Sequence, residues 1–166
     1  MAYDMFLQIE GINGDSSDAG HKQWIEVQSY THGIAQATGG AASAQGALTG
    51  GRADHQDFTI TKLLDSATPN LALYCCKGTP ITSIKLELCR AMGDKTTFMV
   101  YTLTDCVVSS VVPSGVSASE DLLPLEEVGF RYGAIQWAYT PTDPTGGGST
   151  GGTIQQGWST LENQPI

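Results

Sequence analysis

The stretch Ile-Lys-Leu-Glu-Leu-Cys-Arg-Ala-Met-Gly-Asp-Lys-Thr-Thr-Phe-Met-Val-Tyr-Thr-Leu-Thr-Asp-Cys-Val-Val-Ser-Ser-Val-Val, residues 84–112, decides the fold class. Its first part alternates Ile84, Leu86 and Leu88 with polar or small residues, which is the period of a strand with one buried face. Gly93 and Asp94 then offer a turn. β-branched and aromatic residues, which favour strands, follow to residue 112. The stretch predicts an antiparallel hairpin.

The same two-residue period recurs on both sides of this hairpin. It predicts further strands over residues 4–12, 24–32, 57–64, 125–139 and 156–163. We expect a bulge at Gly133 within the fourth of these strands, and Trp158 to anchor the last one. The stretches 113–124 and 146–152 are predicted to be a loop and a flexible tether.

One segment changes to a helical period. Thr68 and Pro69 resemble an N-cap and a first helical residue, apolar residues follow at three- and four-residue spacing, and Gly78 provides a stop. This predicts a short helix over residues 69–77. The fold class is therefore all-β and mainly antiparallel: a β-barrel with one short α-helix and a long extended loop rich in Gly and Ala. A chain of 166 residues predicts one domain, residues 1–166.

That long loop, residues 33–56, is rich in Gly, Ala and Ser and has almost no side chains that could anchor a core. A loop of more than ~15 residues inside a domain is usually functional or disordered. We interpret it as an arm that docks on another chain. A floppy insertion is the alternative.

The charge of the chain limits its partners. A formal net charge of -9, with 8 basic and 17 acidic residues, would repel nucleic acid and anionic membrane surfaces. No apolar segment approaches the ~20 residues that span a bilayer, and the amino terminus carries Asp4 where a secretory signal would be basic. We expect no nucleic-acid partner, no membrane insertion and synthesis in the cytoplasm.

No pattern typical of an active site stands out. The histidines His21, His32 and His55 lack metal-ligand spacing and are expected to face solvent, and the four cysteines are expected to be buried free thiols. Ser109-Ser110 and Ser114-Gly115 lack the Gly-x-Ser-x-Gly elbow, and the Gly-rich stretches lack the Lys-Ser/Thr of a P-loop. Glu126 and Glu127 are neighbours whose side chains point to opposite faces of a strand, so they cannot form a glycosidase carboxylate pair by themselves. We predict no catalytic residues, no metal and no cofactor.

Several short motifs follow one another in a characteristic order: Met1 to Ser16, His21, Ile25 to Val27, Asp57-Phe58, Asp65 to Leu71, Ser109 to Val111, Ser114-Gly115, Gly157-Trp158 and Asn163. Their order resembles, from end to end, one known family, the haemolysin-coregulated proteins (Hcp) of type VI secretion. In place of the family's frequent Asp after Gly-Trp, this chain has Ser159.

The resemblance implies a structural subunit rather than an enzyme. Six β-barrels would form a ring with a wide lumen, and rings would stack into a secreted inner tube. The expected partners are other copies of the chain, effector proteins carried or stabilised in the lumen, and the sheath and spike of the apparatus. The protein would be cytoplasmic before firing and then extracellular, by a route that needs no signal peptide.

Two sets of residues are predicted to make contacts in such a tube. By resemblance, Thr31 lines the lumen, the alternative being an ordinary exposed threonine. The ring-stacking contact is assigned to the long loop, through Gly39, Gly40, Ala44, Gln45, Leu48, Gly50 and Gly51, because small residues allow close backbone approach. Another function that fits the composition is a small β-barrel ligand-binding module that does not assemble into tubes.

Overall fold

Strands form most of the chain in the computed structural model, which describes residues 2–38, 50–91, 95–117, 123–145 and 148–166. Within these ranges the elements are β1 (Tyr3–Ile9), β2 (Ile25–Glu26), β3 (Ser29–Thr31), β4 (Ile34–Thr38), β5 (Gly50–His55), β6 (Phe58–Leu63), α1 (Thr68–Lys77), β7 (Ile81–Arg90), β8 (Thr97–Ser114), β9 (Leu125–Arg131), β10 (Ala134–Tyr139), β11 (Ile154–Ser159) and β12 (Gln164–Pro165). The predicted fold class, mainly antiparallel β-structure with a short helix, is confirmed.

The long strand β8 organises the sheet. It pairs with β7 and β10 along its first part and with β9 along its second part. From there the pairing continues from β9 to β6 and β3, and from β7 to β1 and β2. The ladders of the described strands do not close into a full cylinder, and the chain itself bridges the gap between β2 and β3. Val27 N donates to Met5 O at 3.0 Å, and Gln28 N donates to Thr61 O at 2.8 Å.

The core fills the space that these strands enclose. Alternate residues of β1, β6, β7, β8 and β9 point into it, and α1 adds Leu71 from one side. The predicted helix is confirmed, and Gly78 ends it with a left-handed φ of 63°. The N-cap position, however, is Ala67, without a side-chain cap. Thr68 instead accepts a hydrogen bond from Asp65 N at 3.1 Å.

Two predicted strands are each divided in two. The strand predicted over 24–32 becomes β2 and β3, which pair with different neighbours. The strand predicted over 125–139 breaks at Tyr132 and Gly133 into β9 and β10. Asp105 of β8 has a φ of 53° beside this break, and Gly133 N lies 3.1 Å from Asp105 O. The chain turns a corner there instead of forming a simple bulge.

Several predicted loops and ends also need correction. Strand β8 runs on to Ser114, so the predicted loop begins later than residue 113. The last predicted strand, 156–163, is β11 followed by a turn and the short β12. The segment 33–56 is not all loop, because β4 and β5 pair as an antiparallel hairpin. Of the seven predicted stacking residues, Gly50 and Gly51 lie in β5, and the other five, Gly39, Gly40, Ala44, Gln45 and Leu48, lie outside the described residues.

Candidate interaction surfaces

The hairpin of β4 and β5, here called the arm, is the first candidate surface. Among the described residues its two strands pair only with each other. Its outer residues are exposed, including Ile34 at 47%. A Cβ on Gly50 would lie 2.8 Å from Gln36 Nε2, so the glycine lets the glutamine side chain cross the hairpin to Gly51 O. A two-stranded hairpin is marginally stable alone, and this one therefore needs support from the barrel or from another chain.

The base of the arm is held by a cluster of rings. The hydroxyl of Tyr132 lies 2.6 Å from His32 Nε2 and 3.0 Å from His55 Nδ1. Burial lowers the pKa of His32, and the nearby His55 lowers it further. Burial also lowers the pKa of His55, while Asp54 acts in the opposite direction. Farther along, Arg52 donates to Thr160 O at 2.8 Å.

The arm covers part of an apolar cavity. The cavity is lined from the arm by Ile34, Gly51 and Ala53, and from the barrel by Trp137 and Trp158. Both tryptophans are only half-buried by the described residues. The absence of side chains larger than methyl at Gly51 and Ala53 lets the arm approach these rings closely.

A second apolar surface lies at the other end of β6. A groove of about 470 Å³ is lined mainly by Leu63, Val116, Leu123 and Leu125. Val116 is 79% exposed and Leu123 is 59% exposed. Strand β6 starts at Phe58, next to the arm, and ends at this groove. At about 3.3 Å per residue the two ends of β6 are roughly 16 Å apart, so the arm and the groove lie beside opposite ends of this strand.

Thr31 lies on a sheet face made of small hydroxyl groups. It is exposed and pairs with Thr59 of β6, which in turn pairs with Gly129 of β9. The next cross-strand row contains Ser29, Thr61 and Glu127 and continues in β8 to Val112, an apolar side chain that is 56% exposed. A Cβ on Gly129 would lie 2.6 Å from Ser110 Oγ, so only glycine leaves room for the Ser110 side chain on this face. The described side chains of these two rows carry one charge, that of Glu127.

The outer edge of β11 is a third candidate surface. Within the described part of the chain, β12 pairs with Trp158 and Ser159 alone, so this ladder does not extend to Ile154 and the two glutamines after it. Ile154 is 63% exposed and lies opposite Tyr139, which is 46% exposed. A strand edge with an exposed apolar pair is suited to contact with another chain.

Two buried polar clusters were not predicted from the sequence. Lys62 and Glu126, both inaccessible to solvent, form an ion pair at the start of α1. Glu127 is exposed, which confirms that the two neighbouring glutamates occupy opposite strand faces. His21 is buried between Asp18 and Glu87, so the expectation that it faces solvent is wrong. Lys62 itself was the signal in the sequence, because it follows Phe58 and Ile60 at alternate positions on the buried face of β6.

The four cysteines are free thiols, as predicted, but not all are buried. Cys89 and Cys106 are buried, Cys75 is half-buried, and Cys76 is exposed. Burial raises the pKa of Cys106 to about 12. In the part of the chain that the structure describes, no helix has the length and apolar character needed to cross a membrane.

Comparison with known proteins gives one consistent result. A family model described as "Type VI secretion system effector, Hcp" matches residues 6–139. The chain is 33% identical over 164 residues to Protein hcp1 of Pseudomonas aeruginosa, covering 98% of both chains. It is also 24% identical over 139 residues to the Major exported protein of the same organism, covering 80% of this chain and 78% of that one.

Comparison with solved structures points to the same family. One titled as a type six secretion system protein superposes with a TM-score of 0.92 at 32% identity, covering 99% of this chain and 100% of the other. Hcp1 from Salmonella typhimurium gives a TM-score of 0.80 at 31% identity, with full coverage of both chains.

Proposed function

The chain belongs to the Hcp family of type VI secretion proteins, and we propose that it is the inner-tube subunit, which forms hexameric rings that stack, is secreted, and carries effector proteins in the ring lumen. The observation that carries this proposal is the placement of the arm and the groove at opposite ends of β6. A stack of rings requires two different surfaces on opposite sides of each subunit. The arm and the groove meet that requirement.

In the proposed stack, the arm of one subunit contacts the groove of a subunit in the next ring. The arm contributes the exposed Ile34 and the glycines of β5, and the groove contributes exposed leucine and valine side chains. Gly50 and Gly51 keep the arm thin, so that backbone as well as side chains can reach the partner. The stacking role of Gly39, Gly40, Ala44, Gln45 and Leu48 stays a prediction.

Within a ring, the free edge of β11 is the proposed side-to-side contact. Ile154 and Tyr139 supply apolar area, and the backbone of the two glutamines after Ile154 supplies hydrogen-bonding groups to a neighbouring subunit. Ring closure needs a heterologous contact, in which this edge meets a different surface of the next subunit.

The face that contains Thr31 is the proposed lumen surface. Its short hydroxyl side chains can bind water or a passing protein without a deep apolar pocket, which suits cargo that must be released. Glu127 and the net charge of -9 would favour cargo with a complementary basic surface. The proposed partners are other copies of the chain, effectors in the lumen, and the sheath and spike components of the secretion apparatus. The proposed role is structural rather than catalytic.

The proposal is tested by the mass and shape of the assembly. Light scattering after size-exclusion chromatography should give six times the 17.5-kDa subunit mass, and electron microscopy should show rings. A monomer that persists at high concentration would contradict the tube and favour the β-barrel ligand-binding module. Export is tested by following the tagged chain into the medium of bacteria with and without a working secretion apparatus.

A further inference from the structure

His21, Glu87 and Cys89 form a compact group that the proposed tube does not use. The segment between β1 and β2 lies across the outer face of β1 and β7 and brings His21 onto Phe6, with ring centroids 4.2 Å apart. Glu87 and Cys89 are two residues apart in β7 and therefore share that outer face. One ligand atom from each of the three residues lies within 4.8 Å of the other two.

The remaining polar atoms around this group already have partners. Glu87 Oε1 pairs with Lys85 Nζ at 2.8 Å, while Oε2 lies 2.9 Å from His21 Nε2 and accepts a hydrogen bond from Thr97 Oγ1 at 3.3 Å. His21 Nδ1 lies 2.9 Å from Asp18 Oδ1, while Asp18 Oδ2 pairs with Lys95. Nε2, Oε2 and the sulfur of Cys89 are thus the three atoms that converge.

We propose that His21, Glu87 and Cys89 bind one divalent metal ion of the zinc type, with Asp18 fixing the orientation of the imidazole. Imidazole nitrogen, thiolate sulfur and carboxylate oxygen are the ligands that Zn²⁺ takes in proteins. A carboxylate on the second ring nitrogen is the usual support of a metal-bound histidine. A water molecule completes the tetrahedron.

Two of the three distances between ligand atoms fit such an ion with a small adjustment, and the third, between the carboxylate of Glu87 and the sulfur of Cys89, is at most 4.8 Å. Bonds of about 2.0–2.3 Å at tetrahedral angles put neighbouring ligand atoms roughly 3.3–3.6 Å apart. His21 Nε2 lies 3.8 Å from Cys89 Sγ and 2.9 Å from Glu87 Oε2. The nitrogen and the oxygen therefore separate by a few tenths of an ångström, and the nitrogen and the sulfur approach by about as much.

The charges around Cys89 also favour a cation. Burial raises the pKa of Cys89 despite the hydrogen bond with Thr97, and the carboxylates of Glu87, Asp18 and Asp4 raise it further. Without a metal the residue is a thiol. A divalent ion displaces the thiol proton to solvent, accepts electron pairs from sulfur and from Nε2, and is balanced by the carboxylate of Glu87.

The bound ion would attach the segment between β1 and β2 to β7. Within the described residues, backbone bonds of this segment run largely inside it, as in Gly14 N to Gln23 O at 2.8 Å and Gln23 N to Ser16 O at 2.9 Å. A metal ion bound by His21 and by residues of β7 would link the segment between β1 and β2 to that strand. The stability of the folded protein would therefore increase with metal concentration.

The test uses the full chain, stripped with a chelator and kept reduced, with Co²⁺ as a spectroscopic probe and Zn²⁺ as a competitor. We expect one equivalent of Co²⁺ to produce a thiolate-to-metal charge-transfer band that Zn²⁺ abolishes. Cys89→Ala should remove the band, while the matched controls Cys106→Ala and Cys76→Ala should retain it. Zn²⁺ should raise the melting temperature of the controls and of the parent chain, but not of Cys89→Ala.

A second variant keeps the proposal falsifiable if Cys89→Ala does not fold. Glu87→Gln preserves the size of the side chain and should weaken Zn²⁺ binding by more than about tenfold. Absence of a thiolate band in the parent chain would overturn the proposal. So would a band that survives in Cys89→Ala and disappears in Cys76→Ala, because the exposed thiol would then be the ligand.

Discussion

Lys62 Nζ and Glu126 Oε2 lie 2.9 Å apart inside the barrel, and neither side chain has any exposed surface. Lys62 also contacts Asp65 Oδ1 at 2.7 Å and Thr68 Oγ1 at 3.2 Å. The second carboxylate oxygen of Glu126 has no hydrogen-bond partner among the described residues. The ion pair therefore joins β6 and β9 to the start of α1.

Removing one member of this pair should be costly. Lys62→Met is expected to lower the free energy of unfolding by about 3–5 kcal/mol, because it leaves a buried carboxylate without its cation. The double variant Lys62→Met with Glu126→Leu should recover most of the loss. Urea denaturation measures both. Arg131→Met is the control, since the Arg131 side chain is 69% exposed and its pair with Asp57 should contribute less than about 1 kcal/mol.

The attachment of the arm should depend on pH. Burial lowers the pKa of His32 and of His55, so the folded form favours neutral rings on Tyr132. The stabilisation is therefore fully present above the unfolded histidine pKa of about 6.5. It is lost as the pH falls from there through the lowered folded values. Asp54, Asp57 and Arg131 are the other charged groups at this base.

Hydrogen exchange measures this effect. Amides of β4 and β5 should lose protection between about pH 7.5 and pH 5, after correction for intrinsic exchange, whereas amides of β7 should not. His32→Gln should weaken the dependence. Equal protection of the arm at both pH values would show that the histidines do not control its attachment.

A charge in the groove should separate ring stacking from ring formation. Leu123→Asp places a carboxylate on the proposed contact surface, and desolvating it would oppose association. Rings of unchanged mass with reduced ring–ring association in sedimentation velocity are expected. Leu73→Asp, at a leucine of α1 that is 47% exposed, is the matched control. If rings of Leu123→Asp associated as strongly as rings of the parent chain, the groove would not be part of the stacking contact.

Gly14 should tolerate no side chain. A Cβ there would lie 2.6 Å from Trp24 O and 2.8 Å from Ile25 Cα, which are backbone atoms that cannot move aside cheaply. Gly14→Ala is expected to lower the free energy of unfolding by about 1–3 kcal/mol. At Gly152 a Cβ would lie within 4 Å of no atom of the described residues, so Gly152→Ala should change the free energy of unfolding by less than about 0.5 kcal/mol. Thermal denaturation of both variants measures these differences in stability.

Local pattern was enough to predict the strands and the helix, because each depends on residues near in sequence. The alternation at Ile84, Leu86 and Leu88 and the stop at Gly78 both correspond to observed structure. The division at Gly133 was not predicted, since it depends on Asp105, which is distant in the chain. The hairpin of β4 and β5 was missed because its residues are small and lack apolar alternation.

The side-chain clusters were harder to predict than the strands, because their members are distant from one another in the sequence. His21 stands 66 residues from Glu87, so spacing rules for metal motifs do not apply to it. A usable signal was present in β7, where Glu87 and Cys89 alternate with leucines and must share the outer face. For the arm, the sequence indicated an unusual segment, but only the structure shows that His32, His55 and Tyr132 hold its base.

Strand β8 has a mechanical consequence. Its 18 residues share ladders with β7, β10 and β9, so a pull along the strand loads many backbone hydrogen bonds together in shear rather than opening them one after another. The bend at Asp105 is where the load passes from one set of partners to the other. A subunit stretched in a force spectrometer should therefore resist until β8 slips as a unit, with rupture beginning at that bend.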